Sequence, residues 1–287
     1  MIKVSIIIPT FSRNILLEKL LRSLVKQNVS EYKNIEVIVV DNNKKNVAKS
    51  IVDSFSFRYL HEKKAGVSYA RNKAAHEAKG LYLCFLDDDE VIGENFIEEI
   101  MKFEGNIAIG KTVLEYQDKK PAWITSKIEN YLSKIDYGEK KRSLKKNEWI
   151  TAGNLIIDKC TFFNVGEFDT KIQRVGNKLI GNEDIILKKN VEIAGFRVEY
   201  LPKIIVKHYV PEERTKLIWL KRRAFYQGVS NSLFDKKFKR LNQEDMVANK
   251  KKRIKICNLV LKFKKFLPQK LLNSITLLKY SSVGYLR

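Results

Sequence analysis

Residues 81–90 read LYLCFLDDDE, an apolar run that passes straight into four acids. A strand buried on both faces is written as a nearly continuous apolar run. In an open sheet of such strands, ligands collect just beyond the carboxyl ends. The stretch therefore fixes a fold expectation and a chemical one together. The chain carries 33 Asp and Glu against 55 Lys and Arg, so four contiguous acids in a basic protein need a reason.

Working outward, the same alternation recurs. VSIIIP (4–9) is a β-branched run stopped by Pro9, and RNILLEKLLRSLVKQN (13–28) places Leu16, Leu17, Leu20, Leu21 and Leu24 at helical spacing. IEVIVVD (35–41) reads as a strand, NVAKSIVDSF (46–55) as a helix and FRYLH (57–61) as a strand. GVSYARNKAAHEAKG (66–80) is helical up to Gly80. Strand and helix at short intervals predict an α/β fold, a Rossmann-like and mainly parallel sheet covered by helices. Pro9-Thr10, Asp41-Asn42-Asn43 and Asp87-Asp88-Asp89 all fall at predicted carboxyl ends. Neither GxGxxG nor GxxxxGK[ST] is present, so a dinucleotide fingerprint and a P-loop are unsupported.

The second half is less regular. Residues 111–148 lack clear periodicity and read as an excursion over the sheet edge. WITAGNLIID (149–158) restores strand character, and NEDIILKKNVEIAG (182–195) predicts a helix capped by Asn182 and ended by Gly195. RVEYLPKIIVKHYV (197–210) is strand-like but interrupted by Pro202, and EERTKLIWLKRRAFYQG (212–228) is helical.

The 287 residues suit one large domain, or one domain with an appendage. A formal net charge of +22 points to an anionic partner. Cys84, Cys160 and Cys257 show no CxxC spacing, which argues against a disulfide framework or zinc site and fits a reducing cytosol. The first apolar run is too short for a secretion signal, and no stretch approaches a membrane span. Residues 236–270 hold 13 Lys and Arg against two acids. There Ile256, Leu259, Val260, Phe263 and Leu267 share one helical face, with Lys251, Lys255, Lys262 and Lys265 towards the other. Such a helix suits an anionic membrane surface. Packing on the main domain is the alternative, and no nucleic-acid recognition module is visible.

Contiguous acids at a strand end make either a solvated, capped turn or a site for a hard cation such as Mg2+ or Mn2+. On extended backbone Asp87 and Asp89 point to the same side. A second acid pair, Glu183-Asp184, opens a predicted helix, where capping is again the plainer reading. His208 ends a strand-like run, where a neutral imidazole suits a metal shell.

VSIIIPTFSR, VIVVDNN, AGVSYARNKA and FLDDDE, then TAGNLIID, VGEFD, GNEDIIL, KHYVPEER and KRRAFYQG, occur in order over about residues 2–230. Together they resemble the family 2 glycosyltransferases of the GT-A fold, inverting enzymes that move a sugar from a nucleotide-sugar to an acceptor hydroxyl. The resemblance implies that Pro9, Thr10 and Asp41 line the nucleoside pocket, with Asp41 accepting a hydrogen bond from the base. It implies that Arg71, with Gly66 and Asn72 nearby, meets the donor, and that Asp87 and Asp89 form a metal-binding DxD. Any of the four acids could share the metal, so Asp88 and Glu90 either touch the ligand or shape the turn. Asp184, of the Glu183-Asp184 pair, becomes the general base and His208 a further metal ligand. The implied cofactors are Mn2+ or Mg2+ and a UDP-sugar, and the implied acceptor a glycan or a lipid-linked glycan.

On this reading residues 1–230 are the catalytic domain, with a nucleotide-sugar half (1–110) and an acceptor half (111–230). Residues 231–287 form a basic helical tail that holds the enzyme on the cytoplasmic face of the membrane. Trp149 is placed to stack on a sugar or to fill core, and Arg222 and Arg223 to hold phosphate or sit in solvent. Competing readings are a nucleotidyltransferase, which calls for a glycine-rich loop where this chain has PTFSRN, and a non-catalytic basic protein, which leaves the acid clusters without a use.

Overall fold

The computed structural model describes residues 1–27, 33–175, 178–238 and 243–287. Lys239 and Arg240 of the basic tail, and Asn28 at the end of the first predicted helix, lie outside them. The chain forms two compact units. The first comprises Met1–Glu115, Lys134–Lys171 and Glu183–Tyr209; the second comprises Tyr116–Ser133, Ile172–Asn182 and Val210–Arg287.

The first unit is built on a sheet whose strands are β1 (Val4–Thr10), β2 (Ile35–Asp41), β3 (Arg58–His61), β4 (Tyr82–Phe85), β5 (Glu90–Ile92), β6 (Ile107–Tyr116), β7 (Arg142–Ser143), β8 (Leu155–Asp158) and β9 (Glu199–Val210). Their order is β3-β2-β1-β4-β8-β6-β9-β5, with β7 also on β9. β3, β2, β1 and β4 are parallel neighbours, as the strand–helix alternation predicts. From β8 onward the ladders β4–β8, β8–β6, β9–β5 and β9–β7 are antiparallel.

The helices are α1 (Asn14–Lys26), α2 (Lys49–Ser54), α3 (Val67–Glu77), α4 (Phe96–Met101), α5 (Ser126–Glu129), α6 (Lys159–Asn164), α7 (Glu183–Ile193), α8 (Glu212–Thr215), α9 (Leu217–Lys237), α10 (Gln243–Lys262) and α11 (Gln269–Tyr285). Successive strand residues face opposite ways, so each run feeds two cores. Ile6, Ile8, Val37 and Val39 pack with Leu17, Leu20, Leu21 and Leu24 of α1 and with Phe96 and Ile100 of α4. Ile7, Ile38, Val40 and Phe85 pack on the other side with Ala70 and Ala74 of α3 and Leu187 and Val191 of α7. The result is a sheet layered between helices.

Several predicted boundaries move, each for a local reason. Pro9 lies inside β1: β4 pairs β1 only as far as Ile7, so the missing N–H falls beyond that ladder. Pro202 does not interrupt β9, because it lies between the short ladders made by β7 at Glu199–Tyr200 and β5 at Val206–His208. Helix α3 stops at Glu77, and Gly80 serves close approach: a Cβ there would stand 2.6 Å from the Ser5 amide nitrogen. The strand predicted over 149–158 is only β8. Asn154 precedes it with φ of 77°, its side-chain amide donating to the carbonyls of Lys111 and Ile204 at 3.0 and 3.1 Å. Residues 111–148 include the end of β6, α5 and β7. The helix expected at 212–228 is divided between α8 and α9 at an extended Lys216. Asn182 takes φ of 81° and hydrogen-bonds Asn231 and Gln227 through its side chain.

In the second unit α9 and α11 meet at glycines. A Cβ on Gly228 would lie 1.9 Å from the Ser281 carbonyl oxygen, and one on Gly284 1.8 Å from that of Phe225. The Tyr285 hydroxyl donates to Asp235 at 2.9 Å. On α10 only Cys257 is buried of the predicted stretch around it, whereas Ile256, Leu259 and, just beyond the helix, Phe263 are 52–57% exposed. Among the described residues no helix is long and apolar enough to cross a membrane.

Candidate active site

Three parallel strands deliver the site. β1 ends at Thr10, β2 at Asp41 and β4 at Phe85, so the segments that follow open on one edge of the sheet. After β4 the backbone turns instead of staying extended. Glu90 N–H donates to the Asp87 carbonyl at 3.1 Å, and Asp87 N–H to Glu90 Oε2 at 2.8 Å. The same-side geometry expected of Asp87 and Asp89 is thereby corrected, since alternation holds only on extended backbone.

Each acid of the turn meets its own partners. Asp88 has no exposed surface; Thr10 Oγ1 donates to it at 2.7 Å and Arg13 Nε at 3.2 Å. Asp89 is held by Arg13 Nη1 at 2.6 Å and lies 3.6 Å from His208 Nε2. Asp87 takes Arg71 Nη2 at 2.7 Å. Glu90 is buried under Gly153, where a Cβ would come within 2.4 Å of Glu90 Oε1. The cross-strand register Glu90↔His208 brings β9 to this turn.

Burial dominates the electrostatics. It pushes the Asp88 carboxyl up to about 7; Arg13 opposes the rise, Asp89 adds to it, the Thr10 hydrogen bond opposes and Asp87 adds. Burial also lifts Glu90 well above the usual carboxylate range, helped by Asp87. For Arg71, burial favours the neutral form but Asp87 and Glu183 outweigh it, so the guanidinium stays charged.

Arg71 joins the two acid clusters. It reaches from α3 beneath the sheet edge, its guanidinium 5.2 Å from the Phe168 ring centre, and its second nitrogen, Nη1, donates to Glu183 at 3.2 Å. Asp184, next along α7 and partly buried, accepts the Ile185 N–H at 2.7 Å. The site therefore brings together Thr10, Arg71, Asp87, Asp88, Asp89, Glu90, Glu183 and His208, with Asp184 adjoining.

The other predicted residues shape the loops around it. Asp41 is fully buried; it accepts N–H groups from Asn43 at 3.0 Å and Ala48 at 2.9 Å, which fixes the loop after β2. Gly66 donates its N–H to Asn42 Oδ1 at 2.8 Å and opens α3 with φ of 140°. Asn72 clamps the Phe168 backbone at both its carbonyl and its N–H, at 2.9 and 3.2 Å. Pro9 lies one residue before Thr10 in β1. Trp149 packs against the core on the α3 side, and the Tyr137 hydroxyl donates to its carbonyl at 2.9 Å. Arg222 and Arg223 lie on α9 in the second unit.

Two residues were given no role from the sequence. Asn42 ties the β2 end to the carbonyls of Glu62 and Lys64, and Arg13 occupies the acid turn. Arg13 had a signal: it is the first cation after β1, three residues beyond Thr10, within side-chain reach of neighbouring strand ends.

Asp89 and His208 present oxygen and nitrogen donors at close quarters, a set that suits Mg2+ or Mn2+. Among the described residues no three His, Cys, Asp or Glu side chains converge as a ready-made cage. A cation that keeps water and substrate phosphate in its shell fits such a partial set, and a guanidinium already stands at the acid pair.

The family described as Glycosyl transferase family 2 matches residues 5–164. At 28% identity over 255 residues, the chain is similar to the glucosyl-dolichyl phosphate glucuronosyltransferase of Haloferax volcanii, over 81% of this chain and 77% of that protein. The mannosyltransferase PcManGT of Pyrobaculum calidifontis, solved with GDP-Man and Mn2+, aligns with a TM-score of 0.54 at 18% identity, over 81% of this chain and 64% of that one. TarS residues 1–349 of S. aureus, solved with UDP, aligns at 0.53 and 15% identity, over 99% of this chain and 89% of that one. At such identities these two structures speak for the fold alone.

Proposed function

This chain belongs to glycosyl transferase family 2, with the GT-A fold, and from that premise we propose an inverting, metal-dependent enzyme that moves a sugar from a UDP-sugar to an acceptor hydroxyl. The observation that carries the reading is the Arg71 fork, which ties Asp87 of the acid turn to Glu183 beside Asp184. Donor-binding and proton-accepting acids are thereby held in one site. The nucleotidyltransferase and non-catalytic readings both give way to the family.

In this proposal Asp184 is the general base. Glu183 is committed to Arg71, while Asp184 takes the proton of the acceptor hydroxyl as it attacks the anomeric carbon. The bond to the donor diphosphate breaks on the opposite face, so one displacement inverts the centre. Asp87, Asp89 and His208 would hold the metal, which when bound neutralises charge on the departing diphosphate. Pro9, Thr10 and the loops fixed by Asp41, Gly66 and Asn72 shape the nucleoside pocket, and Asp88 holds Thr10 in place. UDP is preferred to GDP on the family resemblance, although the two solved relatives carry one of each.

The Haloferax relative acts, by its name, on a glucosyl-dolichyl phosphate; we extend to this chain a glycan or lipid-linked acceptor in cell-surface polysaccharide or glycolipid synthesis. Residues 1–230 would carry catalysis, with nucleotide-sugar (1–110) and acceptor (111–230) halves. The tail from 231 would rest on the anionic cytoplasmic face of the membrane, through the exposed Ile256, Leu259 and Phe263 flanked by exposed lysines.

The test is a panel of UDP- and GDP-sugars with Mn2+, run on the parent and on Asp184→Asn. We expect one donor to turn over and the variant to lose about 10²–10⁴-fold in rate. Binding of that donor's nucleotide should be retained. Parent-like turnover by the variant would remove Asp184 from the role.

A further inference from the structure

We propose that Arg13 is a resident counter-cation of the acid turn that yields Asp89 to an arriving divalent metal and then faces the donor diphosphate. The proposal rests on the metal-dependent reading above and deepens it.

The acid turn is over-supplied with negative charge. Asp87, Asp88, Asp89 and Glu90 are consecutive, and Asp88, Asp89 and Glu90 are all at most 5% exposed. Neighbouring buried carboxylates cannot all ionise without a cation among them. Two guanidiniums supply it, and they are held differently. Arg71 is 4% exposed, lies against the Phe168 ring and is anchored at both ends by Asp87 and Glu183. Arg13 is 34% exposed and enters from the loop between β1 and α1. Of the two, Arg13 is the one that solvent and ligand can reach.

Its fork is also divided. Nε bonds Asp88 at 3.2 Å and Nη2 pairs with the same carboxylate, whereas Nη1 bonds Asp89 at 2.6 Å. Asp89 is the acid beside His208, at 3.6 Å, and so belongs to the set that suits a divalent ion. Of the Arg13 contacts, the one that a metal on Asp89 displaces is that of Nη1. The bond to Asp88 can persist, and it keeps the freed end of the guanidinium near the same edge. A planar cation with a free N–H pair matches phosphate oxygens. In the metal-free protein Arg13 keeps the acids apart; in the loaded protein it adds positive charge where the diphosphate lies.

Arg13 is thus a positioning residue, and the exchange predicts opposite effects on two ligands. Mn2+ binding is measured by electron paramagnetic resonance on the full chain without nucleotide. Binding of UDP and of GDP is then measured by calorimetry at saturating Mn2+. Removing the resident charge in Arg13→Gln should tighten Mn2+ about tenfold and weaken the nucleotide diphosphate that the parent binds. Arg13→Lys, which keeps one charge but loses the fork, should bind Mn2+ close to the parent. In EDTA, Arg13→Gln should melt lower than the parent, and added Mn2+ should raise its Tm by the larger amount. Mn2+ binding that is unchanged or weaker in Arg13→Gln overturns the exchange while leaving the metal-dependent reading intact. If neither parent nor variant binds Mn2+, the metal reading itself fails and the exchange with it. Should Arg13→Gln not fold, the comparison passes to Arg13→Lys: its Mn2+-induced rise in Tm must then equal or exceed the parent's, and a smaller rise counts against the proposal.

Discussion

Asp88 has no exposed surface, yet it stands among Asp87, Asp89 and Arg13 with its carboxyl pushed up to about 7 from an ordinary 3.8. Because the folded value lies above the unfolded one, the native state binds more protons between those limits. The stabilising contribution is fully present below about 4 and is lost as pH rises through about 7. Asp88→Asn removes that dependence. In EDTA the Tm of the variant should gain on the parent from pH 4 upward and level off above pH 7, at roughly 2–4 °C per kcal/mol for a protein near this size. A gap that narrows on raising the pH would contradict the burial account. The four acids themselves were legible, because an apolar run ending in carboxylates is unusual on one line of sequence. Arg13 and Asn42 were not, because a polar residue in a loop shows its partner only after strands distant in sequence have paired.

At the scale of elements, the strand interiors were readable from β-branched runs, but several ends were decided by contacts across the sheet. Gly80 looked like a helix stop, and its smallness instead serves contact with the Ser5 backbone. Gly228 closed the helix expected at 212–228, yet α9 runs through it to Lys237; it and Gly284 of α11 each stand where another backbone is close. Gly284→Val should push a side chain into the Phe225 carbonyl and destabilise the protein by about 1–3 kcal/mol or more. Denaturant unfolding measures this directly, and an unchanged midpoint would mean that α9 and α11 do not approach so closely.

For the whole molecule, half of the net charge of +22 lies in residues 236–270, where exposed apolar residues lie among lysines. If that surface meets anionic lipid, the full chain should float with vesicles containing phosphatidylglycerol at 0.1 M salt. It should release as the screening length falls from about 10 Å to about 3 Å at 1 M. Replacing Ile256, Leu259 and Phe263 together by Glu should abolish flotation even at low salt. Flotation that survives all three changes would remove this face from the interface. The register of β5 on β9 has a consequence in time. His208 is delivered by β9, and Glu183 and Asp184 also follow the strands β1 to β4 in the chain. A ribosome therefore exports β1 to β4 and the acid turn well before Glu183, Asp184 and His208. On the proposed assignments, the nascent chain gains its full site only once β9 has emerged and paired with β5.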